Sequence, residues 1–89
     1  MSRRRAYSDE TLAIMQRYYK AFDAAKENKL IKSVSSFCAE NNIDKRHFYA
    51  QRADLGKGYF EVSWLLPLIR DCGVSANWLL TGKGIMFVE

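Results

Sequence analysis

Apolar positions in the first third of the chain repeat with the period of a helix. Leu12, Met15, Tyr19 and Phe22 stand at i, i+3, i+7 and i+10, with Ile14, Tyr18 and Ala25 beside them, which puts one apolar stripe on one face. Ser8 carries a hydroxyl that can accept from a free backbone N–H, and Asp9 and Glu10 fall where the positive end of a helix dipole favours carboxylates. The spacing therefore predicts a long helix from Ser8 to about Lys26, closed by Glu27, Asn28 and Lys29. Its aromatic residues read as core, since an aromatic stripe at helical spacing packs inward more often than it serves as a base-stacking platform.

A second pattern occupies SVSSFCAENNIDKRHFYAQR, Ser33 to Arg52. Ser33 is a helix cap, and Val34, Phe37 and Cys38 fall at i, i+3 and i+4 on one face. Asn41 and Asn42 break that pattern, because asparagine tolerates the positive φ that ends a helix and turns the chain. Ile43 then reads as a buried plug, Asp44 as the cap of a further helix, and Phe48 as its inward anchor. Lys45, Arg46, His47, Tyr49, Gln51 and Arg52 are left facing outward. Before this segment, Leu30 and Ile31 form a short apolar link into Lys32.

The remainder alternates loops and short helices. Ala53 to Gly58 joins glycines to polar residues and reads as a loop; it lacks the preceding strand and the lysine-serine or lysine-threonine ending of a nucleotide loop. Tyr59 and Phe60 return to the core ahead of a helix from about Val62 to Cys72. Pro67 would cost about 3 kcal/mol in a helix interior, so it argues for a late start or a slight bend. Gly73 closes that helix, Ser75 caps another, and Asn77, Trp78, Leu79 and Leu80 form its body before Thr81 and Gly82 stop it. Trp78, Leu79 and Phe48 are expected to be buried against the first helix. Ile85 to Glu89 is too apolar for a free terminus: it packs on the body or contributes to a dimer contact.

Eighty-nine residues with 48% apolar content suffice for one domain and one core. The organisation expected is a basic arm over 1–7, a helical domain over 8–84 and an apolar tail over 85–89. A formal charge of +4 permits a polyanionic partner without demanding one. Cys38 and Cys72 stand far apart with no further cysteine or histidine at ligand spacing, which reads as two buried reduced thiols rather than a zinc site or a disulfide. No run approaches the roughly 18 apolar residues of a membrane span, and the arginine-rich start is not followed by an apolar signal region. No membrane partner and a cytoplasmic location are expected.

The segment Ser33 to Arg52 resembles the helix-turn-helix of the phage repressor and Cro-like, or lambda-repressor-like, family. That family's small residue, turn glycine, following aliphatic residue and recognition-helix aliphatic residue would be matched by Cys38, Asn42, Ile43 and Phe48; Gln51 stands where a second aliphatic residue is usual. A separate run, GVSANWLLTGKG from Gly73 to Gly84, is similar to the closing helix of many repressor-type domains. The resemblance covers about Ser8 to Gly84 and implies an all-α, compact bundle of about five helices around a small core.

It also implies a function: sequence-specific binding of double-stranded DNA, as a transcriptional regulator or phage-repressor-like protein with no chemistry of its own. Arg46 is the candidate for bidentate contact with guanine, since its planar fork matches the two acceptors on that base edge. Lys45 and His47 could meet bases or phosphates, Tyr49 the backbone or a thymine methyl, and Arg52 a phosphate. Lys32 and Ser35 lie at the start of the first helix of the pair, where a phosphate would pass. Arg3, Arg4 and Arg5 form either a solvated tail or a mobile arm that follows phosphates or enters a minor groove. A homodimer, at least on DNA, is expected, and neither a cofactor nor a small-molecule domain. The alternative is an adaptor that uses the same fold for protein contacts through its apolar tail. Catalysis is the weakest option, because His47 is the only histidine and no carboxylate pair, nucleophile motif or metal cluster accompanies it.

Overall fold

Ser8 opens the first helix as its hydroxyl allows, accepting from the amide of Thr11 at 3.1 Å. The computed structural model describes residues 6–88, and α1 runs Asp9–Glu27. Lys29 takes a left-handed φ of 66°, and Leu30 sends its amide back to the Ala25 carbonyl at 2.9 Å, which reverses the chain. The next two helices, α2 (Val34–Glu40) and α3 (Lys45–Ala53), begin at side-chain caps: Ser33 accepts from Ser36 and Asp44 from Arg46. Between them Asn42 sits at φ 57°, and the Ile43 amide bonds the Cys38 carbonyl at 2.9 Å. That pairing satisfies a helix-end carbonyl and forces the tight turn.

Beyond α3 the chain makes a loop, a single 3-10 turn at Val62–Trp64, then α4 (Leu65–Cys72) and α5 (Ala76–Thr81). Pro67 is thus the third residue of α4. Its missing N–H is one that a first turn leaves unpaired in any case, so the late start removes the conflict. Gly73 and Gly82 close α4 and α5 at φ 72° and 78°. A side chain at 82 would be strained by that φ and would also meet the Arg17 guanidinium at 3.2 Å, where Arg17 Nε donates to the Leu79 carbonyl at 2.8 Å.

The architecture is all-α: five α-helices among the described residues, with an isolated β-bridge between Val74 and Phe87. The core follows the α1 stripe. Met15, Tyr18 and Phe22 are fully buried with Phe48 of α3, Leu68 of α4 and Leu79 of α5. Phe48 is its centre, with ring centroids 4.9 Å from Phe22 and 5.2 Å from Tyr19. The Tyr19 hydroxyl donates to the Phe48 carbonyl at 2.9 Å, whereas the buried Tyr18 hydroxyl has no hydrogen-bond partner among the described residues. Burial pushes both phenols well above their ordinary range.

Trp78 departs from expectation. Leu79 takes the inward position on α5, and Trp78 packs only half-buried at the edge of the core. A six-residue helix presents one narrow inward face, and the Ser75 cap sets that face on Leu79. Cys38 and Cys72 are free and buried, and burial pushes both thiols up, away from the reactive thiolate.

The tail folds back on the body. Met86 accepts from the Ser75 amide at 2.7 Å, and Val88 donates to the Gly73 carbonyl at 2.8 Å, around a Val74–Phe87 bridge. Met86 and Phe87 lie against the core, while Ile85 and Val88 stay exposed. At the other end, Tyr7, grouped by sequence with the arm, donates to the Lys57 carbonyl at 3.0 Å. Arg3, Arg4 and Arg5 lie outside the described residues. No helix among the described residues is long and apolar enough to cross a membrane.

Candidate nucleic-acid interface

Three inward groups fix the roll of α3. Ile43 plugs the turn, Phe48 enters the core, and Gln51, one turn further on, is fully buried. The sequence reading put Gln51 outside, and the structure corrects this. Its Oε1 accepts from the amides of Tyr59 and Phe60 at 2.9 and 3.0 Å, and its Nε2 donates to the Leu55 carbonyl at 2.8 Å. The same nitrogen faces the Met15 sulfur at 3.4 Å. The physical reason is positional: 48 and 51 are i and i+3 and share a face. The glutamine is tolerated there because every polar atom it buries is paired.

With that face committed, the first turn of α3 points to solvent. Lys45 donates to Ser35 Oγ at 3.1 Å, linking the starts of α3 and α2. Arg46 is almost wholly exposed and turns back to its own cap: its Nε lies 3.4 Å from Asp44 Oδ1 and its Nη2 3.2 Å from Oδ2. Hydrogen bonds from the Arg46 side chain and amide hold the Asp44 carboxyl down at about 2. His47 Nε2 lies 3.9 Å from the same carboxylate, and its ring stacks on Tyr59 at 3.9 Å between centroids with 8° between planes. Tyr49 is half exposed. Lys32 is exposed just before the Ser33 cap.

The structure thus brings together Ser35 with Lys45, and Asp44 with Arg46, His47 and Tyr59. Arg52 is placed apart. Its Nη1 donates to Asp23 Oδ1 of α1 at 2.8 Å, its Nη2 meets the other carboxylate oxygen, and its guanidinium lies 5.4 Å from the Tyr19 ring centroid. Those bonds strengthen its hold on its proton and tie it to α1.

Tyr59 and Asp44 were absent from the site residues expected from sequence. Asp44 was read as a cap, and the i,i+2 reach of Arg46 back to it is a signal that was available. Tyr59 carried none, because its placement depends on the loop that Gln51 anchors. Comparison with protein-family models, with curated proteins and with solved structures finds no match.

Proposed function

We propose that this domain binds double-stranded DNA sequence-specifically through a helix-turn-helix of the phage repressor and Cro-like type, as a transcriptional regulator or phage-repressor-like protein. The observation that carries the reading is the division of α3. One face is locked by Phe48 and Gln51, while Lys45, Arg46, His47 and Tyr49 stand outward on the other. A helix with its side chains is about 10–12 Å across, a fit for a major groove about 12 Å wide. Lys45 and Ser35, joined across the turn, offer donors to a phosphate strand, and Lys32, exposed just before the Ser33 cap, adds a further cation. Exposed apolar groups in the tail, Ile85 and Val88, favour the second reading, a protein-binding adaptor. Titration of DNA at two salt concentrations separates the two, since phosphate binding weakens steeply with salt and an apolar contact does not.

Arg46→Ala should cost about 1–3 kcal/mol on the specific site and relax selectivity at one base position. Removal of Arg3, Arg4 and Arg5 should weaken specific and scrambled duplexes alike and flatten the salt dependence by up to about 0.9 log units per lost phosphate contact. Anisotropy titrations of both variants on both duplexes check this. An equal loss on both duplexes for Arg46→Ala would mean that α3 holds the backbone and does not read sequence.

One recognition helix has a small footprint, so the reading includes a homodimer on DNA. Selection from random DNA should return an inverted repeat with half-sites roughly 34 Å apart. Light scattering that gives one chain per asymmetric site would remove the dimer.

A further inference from the structure

Asp44 does two things at once. Its Oδ1 accepts from the Arg46 amide at 2.9 Å, which fixes the carboxylate against the helix axis. The two carboxylate oxygens then engage Nε and Nη2 of the Arg46 side chain, which fixes the guanidinium edge-on to Asp44. That pairing occupies the N–H of Nε and one N–H of Nη2. The end of the guanidinium keeps one N–H from Nη2 and both from Nη1, and the side chain is 87% exposed, so this end opens to solvent. Two parallel donors at a fixed height above α3 complement the O6 and N7 acceptors of guanine. Adenine sets a donor beside N7 and repels one of them.

We propose that Asp44 is a positioning residue that presets Arg46 as an end-on fork and thereby makes guanine the base read at one position of the site. The proposal rests on the DNA-binding reading above. A preset fork avoids the side-chain ordering that binding otherwise costs. The Asp44 carboxylate also repels phosphate, which keeps Arg46 from settling on the backbone of any sequence. His47 Nε2 lies 3.9 Å from the same Oδ2 that Arg46 Nη2 meets, and its ring stacks on Tyr59, so a second cation-capable group shares this carboxylate.

The test uses Asp44→Asn, Arg46→Ala and the double variant. They are titrated on a selected site, on its three single-base alternatives at the Arg46 position, and on a scrambled duplex. Asparagine retains the oxygen that caps α3, so the melting temperature should hold. The guanine preference should fall by about tenfold, and affinity for the scrambled duplex should rise. In the Arg46→Ala background, Asp44→Asn should change the preference no further. Asp44→Ser, which caps with a hydroxyl too short to span the guanidinium, should give the same loss. A guanine preference that survives in Asp44→Asn or Asp44→Ser reduces Asp44 to a cap and overturns the proposal while DNA reading stands. A wild-type protein that binds all five duplexes equally, or none, brings down the DNA reading and the proposal with it.

Discussion

Phe48→Ala is expected to lose about 3–5 kcal/mol of folding stability. The ring is fully buried and meets Tyr19, Phe22, Phe37 and Trp64, so its removal leaves a cavity bordered by α1, α2 and the 3-10 turn. Stiff aromatic neighbours cannot collapse into that space without losing their own edge-on contacts. A domain of this size has a total of roughly 4–13 kcal/mol, so the variant should be unfolded in a large fraction of molecules at physiological temperature. Thermal melting by circular dichroism is the check. A midpoint within a few degrees of wild type would show that the turn and caps alone hold α3 in place.

The second large effect is expected at Gln51, and its sign runs against hydrophobicity. Leucine at 51 is a better helix former and would match the aliphatic residue that the resemblance places there. It would nevertheless leave the amides of Tyr59 and Phe60 and the carbonyl of Leu55 without their partners. Each such group costs about 1–3 kcal/mol when buried, against about 1.5–3 kcal/mol recovered by burying leucine. Gln51→Leu should therefore destabilise by about 2–4 kcal/mol, read from urea denaturation. Tyr59 should also leave the His47 ring, which the aromatic chemical shifts of His47 would report. An unchanged or higher urea midpoint would show that the loop folds without the glutamine.

Much of the fold was legible because its signals are local. Ser8, Ser33, Asp44 and Ser75 each cap the helix they announce, and Asn42, Gly73 and Gly82 turn the chain where positive φ is cheapest. Pro67 argues from sequence for a late start or a slight bend, and α4 takes the late start at Leu65. What sequence did not reveal depends on pairs distant along the chain. Gln51 is inward because a loop four to nine residues later needs its amide, and Arg52 is tied because Asp23 of α1 stands beside it. Periodicity sorts apolar from polar residues and has no category for a polar side chain that is satisfied inside. The tail's apolar composition announced packing on the body or a dimer contact, but its backbone pairing with Gly73 and Ser75, across fifteen and eleven residues, leaves no mark on side-chain pattern.

The ties between α1 and α3 are unevenly spread. Tyr19 holds the Phe48 carbonyl, Met15 meets Gln51, and Asp23 holds Arg52, all from Phe48 onward. Among the described residues, the first-turn side chains of Lys45 and Arg46 hydrogen-bond to Ser35 and Asp44 and not to α1. The helix is thus a cantilever, clamped at its C-terminal end and sprung at the other. Small rocking of the free end would shift Arg46 and His47 without disturbing the core, so amide exchange should be graded along this one helix, slowest beyond Phe48. Such compliance would give the exposed first turn a range of positions while the roll of α3 stays fixed by Phe48 and Gln51.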